Sequence, residues 1–549
     1  MRSFHAVENV QSLEELSNLL ASDGAFYNFT GIVVAGATID AKNSTVYVTG
    51  IAPTGLSLGD SAEYTQMTEQ GERFKAANEK FYQALLTHNG IDESTAATMI
   101  ADAYAFEEQL APSIYPLETS YRDDYYELTY NIFSREELAA LSPDFPLMDI
   151  LDLSGLKHAT RFQVSEPDAV KMLNDLYTEE NLEQIKAYLM IDLLETLAAY
   201  GDSFSADAAN TWSNDKYGSS GSEPQDVKAY NLCNSLVGEL FGVIYAEQYF
   251  DDAAKADLTD MVDEIKLVYK DHLNNADWLT EETRETACEK LDTLTLRIGY
   301  PDVYMYDWDS IDFEADTPFI ENVMHCITQM SAQQNQKADQ PVEQDCWVMG
   351  ANTVNAYYLP NDNSINFPAA ILQPPFYDTS ASRSTNLGSI GVVIAHEITH
   401  AFDTTGSQFD KDGNMTNWWT DKDRAAFKER TDKVASYYGA IEVIDGEYVQ
   451  GDLTIGETVA DLGAVAATLD IMQNLEDADY EEYFSGFATI WYEKCTPESR
   501  VYLLKNDPHA PCYLRANVTL AQFQQFCDTY GIKEGDSMYV APEDRLQVW

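Results

Sequence analysis

Apolar residues recur at steps of three and four through Leu182, Ile185, Leu189, Leu193 and Leu197, which predicts a helix with one apolar stripe. The stretch from Met261 to Leu273 repeats that pattern. Thr280, followed by Glu281 and Glu282, predicts the N-cap and acidic first turn of another helix. The opening of the chain differs: Gly31-Ile-Val-Val and Thr45-Val-Tyr-Val alternate between faces and predict a short hairpin. Neither an internal repeat nor a low-complexity linker interrupts the chain.

From Gln340 onward the texture changes. Asn355-Ala-Tyr-Tyr and Ser364-Ile-Asn-Phe predict two short strands joined by the turn-prone Pro360-Asn-Asp-Asn. After a turn at Gln373-Pro-Pro, Ile390 to Phe402 predicts an apolar helix, and a further helix is expected to begin near Thr454. The fold class is therefore mainly α with small β elements (α+β). A chain of 549 residues outgrows one hydrophobic core, so two lobes are expected. The boundary falls in 305–345, giving a helical lobe over residues 1–330 and a second lobe over residues 331–549.

Charge narrows the function. Asp and Glu number 92 against 33 Lys and Arg, a net charge of −59. Such a surface repels nucleic acid and anionic membranes, so no nucleic-acid partner is expected. No apolar run reaches the roughly 18 residues of a membrane span, and Met1 to Glu8 lacks the architecture of an export signal. The seven cysteines (Cys233, Cys288, Cys326, Cys346, Cys495, Cys512, Cys527) include no C-x-x-C pair, which argues against a thiolate zinc site. Most are expected to be small core hydrophobes. Sequons at Asn28, Asn43, Asn414 and Asn517 decide nothing.

The decisive string is His396-Glu397-Ile398-Thr399-His400. On a helix, positions i and i+4 share a face, so both imidazoles can reach one metal ion, and Glu397 lies close enough to take a proton from water at that ion. The surrounding helix is apolar (Ile390, Val392, Val393, Ile394, Ala395), and burying such groups without partners would be costly. A catalytic zinc needs a third protein ligand and an open position. Gly456-Glu457-Thr458-Val459-Ala460-Asp461 offers two carboxylates at i and i+4, one to ligate and one to accept a ring N–H from a ligating histidine. Thr454 and Glu457 also spell a capping box, in which Glu457 would only close a helix end. Beside H-E-x-x-H the ligand reading is preferred. His509, in the turn-prone Asn506-Asp-Pro-His-Ala-Pro, could donate to an oxyanion, and Arg515 could fork onto a carbonyl or carboxylate.

These residues make the chain resemble the neprilysin and endothelin-converting-enzyme family of zinc metallopeptidases, which includes bacterial oligopeptidases. The matching strings are Val354-Asn-Ala-Tyr-Tyr, Phe367-Pro-Ala-Ala-Ile-Leu-Gln-Pro-Pro-Phe376, Ile394-Ala-His-Glu-Ile-Thr-His-Ala-Phe-Asp403, Asp412-Gly through Trp418-Trp419, Gly456-Glu-Thr-Val-Ala-Asp-Leu-Gly463, Asp507-Pro-His-Ala-Pro511 with Arg515, and the terminal Val548-Trp549. Upstream, Trp278-Leu-Thr-Glu-Glu-Thr and Arg297-Ile-Gly-Tyr-Pro-Asp302 match the family's helical lobe.

The resemblance implies two mostly helical lobes around a central cavity, with a thermolysin-like zincin catalytic lobe roofed by the first. It implies one catalytic zinc per chain on His396, His400 and Glu457, with Glu397 as general base, Asp461 behind a histidine and His509 at the oxyanion. Asn355 and Ala356 would bind the substrate backbone, and Arg515 a carbonyl or carboxylate. Ile371, Phe376, Val392, Val393, Ile490 and Trp491 would line an apolar pocket for the side chain after the scissile bond. The expected enzyme is an endopeptidase cutting oligopeptides on the amino side of hydrophobic residues. A peptide-binding protein that has lost turnover is the rival reading.

Relatives carry a further segment ahead of Met1, so a missing N-terminal segment or a partner chain is expected to complete the lobe. The cysteines do not reproduce the animal disulfide set, and Arg545-Leu-Gln precedes Val548-Trp549 where the animal enzymes have a cysteine. A bacterial-type, monomeric member is expected, with an extracytoplasmic place (secreted or lipid-anchored) preferred over the alternative, a cytoplasmic one.

Overall fold

The computed structural model describes residues 2–22, 32–343 and 347–548. Asn28, Gly31, Cys346 and Trp549, each named above, lie outside the described residues. Two compact units divide the chain: Met1–Asp40, Thr45–Leu236 and Tyr306–Glu343 form one, and Ala41–Ser44, Val237–Met305 and Gln344–Trp549 the other.

The first unit contains a four-stranded sheet of β1 (Val33–Asp40), β2 (Asn43–Pro53), β3 (Asn131–Ser134) and β4 (Arg161–Val164), in the order β1-β2-β4-β3. β4 runs parallel to β2, with Thr49 opposite Phe162, and antiparallel to β3. The hairpin expected from alternation is thus β1 and β2, extended at the far end of each strand. Its helices include α1 (Glu69–His88), α2 (Glu93–Leu110), α3 (Leu182–Leu197) and α4 (Ser203–Tyr217). α3 is the helix predicted by the leucine stripe: Leu182, Ile185, Leu189 and Leu193 are buried, and α3 packs on α2.

The second unit is built on α5 (Asp252–Asn275), α6 (Glu281–Asp292), β5 (Thr295–Gly299), β6 (Tyr357–Leu359), β7 (Ser364–Pro368), α7 (Val392–His400), α8 (Asp421–Gly439), α9 (Gly451–Asn474), α10 (Tyr480–Ile490), α11 (Pro497–Asn506) and α12 (Cys512–Leu520). β7 is central in a three-stranded sheet, parallel to β5 and antiparallel to the edge strand β6. The expected strand pair is present, although β6 begins at Tyr357 rather than Asn355. Asn363 turns the chain between the strands in the left-handed region (φ 48°), a conformation asparagine tolerates.

Several expectations are corrected. Residues 237–305, placed by helical texture in the first lobe, belong to the second unit. The stripe of α5 (Leu258, Met261, Val262, Ile265, Tyr269, Leu273) joins the core of α7 and α9, and periodicity does not say which core a stripe faces. Arg297-Ile-Gly likewise forms β5 there, beside β7. Thr280 stands at the N-cap of α6, but its hydroxyl bonds Asp423 instead of capping. α9 begins at Gly451, three residues before the expected Thr454. Of the six described cysteines, all free, only Cys326 and Cys527 are buried. No helix among the described residues is long and apolar enough to cross a membrane.

Candidate active site

α7 supplies the two histidines. Val392, Ile394, Ala395 and Ile398 are at most 1% exposed, so the helix is wrapped by core on nearly every side. Burying each large apolar side chain contributes about 1.5–3 kcal/mol, which offsets the cost of enclosing His396 and Glu397 in the same helix. α9, lying against α7, carries Glu457 and Asp461. Because α9 starts at Gly451, Glu457 sits well inside the helix and Thr454 makes no capping bond, so the capping-box alternative is not formed.

Side chains from both helices converge. His396 Nε2 and His400 Nε2 are 3.0 Å apart, and Glu457 Oε2 lies 3.0 Å from the first and 3.6 Å from the second. Tetrahedral zinc with bonds near 2.0–2.1 Å sets neighbouring ligand atoms roughly 3.3 Å apart, so this triangle could hold one such ion. Glu397 is also close, its ligand-type atom within 4.8 Å of those of both histidines.

Outer contacts orient the rings. His400 Nδ1 is 2.6 Å from Asp403 Oδ2. His396 Nδ1 is 2.9 Å from Asp461 Oδ1, off the direction an ideal N–H would take. Asp403 was not singled out as a site residue from the sequence; its signal was its position three residues beyond His400, one helical turn on. Asp461 also receives Arg515, through Nε at 2.8 Å and Nη2 at 2.7 Å, and the guanidinium stacks 3.7 Å from the ring centre of Trp491. His509 is half-exposed, with Nε2 3.2 Å from Glu457 Oε2 and Nδ1 2.8 Å from Asp507 Oδ1.

The electrostatics separate the carboxylates. Burial raises the carboxyl of Glu397 above its ordinary range, against the pull of His400 and His396. Burial acts the same way on Glu457, but His400, His396 and His509 overcome it and hold Glu457 well below the usual range. Asp461, likewise buried, is brought down to about 2 by Arg515. Burial pulls the imidazole of His509 down, yet Asp507 and Glu457 carry it up to about 9, so it is a cationic donor at neutral pH. Carboxyls whose environments push them apart suit different roles, one permanently ionised and one able to carry a proton.

The remaining predicted residues occupy the same unit. Asn355 is exposed, its Oδ1 accepting from Ala356 N, just ahead of β6, which packs on α7. Ile371, Val392, Val393 and Ile490 are buried in one core cluster, with Phe376 and Trp491 half-buried against it. Phe376 O accepts from Ile390 N at 2.9 Å, tying the Gln373 turn to the residues just ahead of α7.

Comparison with known proteins agrees with this geometry. Models of peptidase family M13 match residues 2–301 and 355–546. The chain is 32% identical over 518 residues to a neutral endopeptidase of Lactococcus lactis, covering 93% of this chain and 80% of that one. It is 30% identical over 562 residues to human endothelin-converting enzyme 1, covering 96% and 70%. The fold superposes on the zinc metalloprotease Zmp1 of Mycobacterium tuberculosis with a TM-score of 0.92 at 28% identity, covering 100% of this chain and 85% of that one. On PepO of Lactobacillus rhamnosis the TM-score is 0.93 at 26% identity, covering 100% and 86%. The chain belongs to peptidase family M13, the family of neprilysin and the endothelin-converting enzymes, and is a zinc metalloendopeptidase.

Proposed function

We propose that His396, His400 and Glu457 hold a single zinc ion per chain and that the enzyme cuts oligopeptides on the amino side of hydrophobic residues. The observation carrying the ligand assignment is the convergence of two imidazole nitrogens and one depressed carboxylate at mutual distances of 3.0–3.6 Å. When bound, zinc supplies Lewis acidity, lowering the pKa of a water and polarising a carbonyl. Glu397, a buried carboxylate of raised basicity, takes the proton from the attacking water and passes it to the leaving amine. His509 donates from Nε2 to the oxygen that becomes negative as the carbonyl carbon turns tetrahedral. Arg515 spends Nε and Nη2 on Asp461, which leaves Nη1 for a substrate carbonyl or carboxylate.

Specificity follows from Ile371, Phe376, Val392, Val393, Ile490 and Trp491, an apolar set between α7 and the end of α10. Asn355 and Ala356 lead into an edge strand, which recognises a peptide only if the peptide's own backbone is unpaired. Short unstructured peptides are therefore the substrate class. Mass-spectrometric mapping of cuts in a peptide mixture, with and without chelator, tests this. Leu, Ile, Phe or Tyr should follow the cut, and Ala there should be used at least about a hundredfold more slowly, since each missing methylene costs about 1–3 kcal/mol. Equal use of Asp or Lys at that position would sink the specificity reading.

A further inference from the structure

Lys290, on α6, is the one lysine among the described residues whose side chain lies wholly inside the second unit's core, at 0% exposure. Its ammonium donates to three backbone carbonyls, Ala401 O at 2.8 Å, Gly406 O at 2.6 Å and Phe409 O at 2.7 Å. The rings of Tyr358, Phe402 and Trp418 surround it, with centres 5.7, 6.0 and 5.9 Å from Nζ, within the reach of cation–π attraction. A buried charge is tolerated only when paired and hydrogen-bonded, and here the partners all belong to, or cover, the loop that leaves the metal helix.

That loop supports a metal ligand. Asp403 Oδ2 meets His400 Nδ1, while Asp403 Oδ1 accepts from Thr405 N at 2.8 Å and Gly406 N at 2.6 Å. Gly406 is pressed so closely on His400 that a Cβ there would fall 1.8 Å from the His400 carbonyl oxygen. The peptide groups on either side of Gly406 are thus held by Asp403 on one side and Lys290 on the other. Trp418 Nε1 adds a second bond to Phe409 O at 3.0 Å. From α6, Lys290 fixes the start, middle and end of the Ala401–Phe409 segment, and with it the carboxylate that aims His400.

We propose that Lys290 is a positioning residue for zinc: it sets the loop that holds Asp403, and so fixes the ring of His400. The proposal rests on the ligand assignment of His400, and His400→Ala serves as the control for that assignment alone.

The test is the rate at which zinc-loaded protein surrenders its metal to excess chromogenic chelator, well below the unfolding midpoint, with circular dichroism confirming the fold. Lys290→Met, similar in length but without charge or donors, should release zinc at least about tenfold faster, the scale for losing an outer partner of a metal ligand. Asp403→Asn should do the same. The double variant should be little worse than the worse single one, because both act through one route. In peptide assays kcat should fall while KM holds. Folded Lys290→Met that releases zinc at the wild-type rate overturns the proposal, as do single effects that multiply in the double variant. If Lys290→Met does not fold, Lys290→Gln is judged by the same criteria. Retention of zinc by His400→Ala would instead overturn the ligand assignment.

Discussion

Arg515 lays its guanidinium fork on Asp461, Nε to Oδ2 at 2.8 Å and Nη2 to Oδ1 at 2.7 Å, in a setting where both side chains are buried. The pair holds the Asp461 carboxyl at about 2 when folded, so the folded chain binds that proton less readily than the unfolded one. The resulting stabilisation, on the order of 2 kcal/mol, is complete above the ordinary carboxylate range and lost as pH falls from about 4 to about 2. Urea unfolding of zinc-free protein across that window should show a steeper acid loss for wild type than for Asp461→Asn. Equal slopes would remove Asp461 from the acid response.

Glu457→Ala should bind zinc far more weakly, because two imidazoles alone leave the ion one protein ligand short. Metal content after dialysis measures it. Stoichiometric zinc in that variant would return Glu457 to some role other than ligand.

Zinc and protons should compete. Burial pulls both histidines down, but Asp461 and Glu457 hold His396 above the ordinary imidazole range, and Glu457 and Asp403 hold His400 well above it. Neutral rings are needed for ligation. Zinc affinity should therefore fall with decreasing pH, by about tenfold per pH unit for each proton displaced. Competition titrations between pH 6 and 8 would detect this, and a flat profile would contradict it.

Glu397→Gln should keep zinc and peptide affinity while losing nearly all turnover, since an amide cannot take the proton of the attacking water. A variant retaining a tenth of the wild-type kcat would exclude Glu397 as the base.

His509→Ala should lower kcat by roughly a hundredfold with little change in KM, the scale for losing one oxyanion donor. If KM alone rises, His509 binds substrate rather than the transition state.

What could be read in advance depended on whether the signal was local. The i and i+4 spacing of His396 with His400, and of Glu457 with Asp461, is a property of one helix each, so their shared faces were legible from spacing. The leucine stripe of α3 was legible for the same reason. Less visible was anything needing a partner remote in sequence. α5 has a clear stripe, yet nothing in it says that the stripe meets Thr399 and Gly463 rather than the first unit's helices. Lys290 reads as one charge in an acidic helix until the Ala401–Phe409 loop is folded over it. Thr280 and Thr454 both follow capping patterns, but the Thr280 hydroxyl is taken by Asp423, and Thr454 lies inside a helix that already begins at Gly451.

Gly463 marks the contact between the helices that carry the site: a Cβ at that position would fall 2.8 Å from both Thr399 Cγ2 and Tyr269 Oη. The absence of a side chain at Gly463 is what lets Thr399 of α7 and Tyr269 of α5 pack directly on α9, and so it helps set how near Glu457 comes to the histidine pair. That spacing bears on which ion the proposed ligand set would accept. An ion with bonds near 2.0–2.1 Å that accepts nitrogen ligands fits the existing spacing, whereas calcium, at 2.3–2.6 Å and with six to eight oxygen ligands, is poorly served by two imidazoles and one carboxylate. Any widening of that spacing by moving the helices would expose apolar residues of α7 that the core now covers, so the core that keeps the helix folded also resists it.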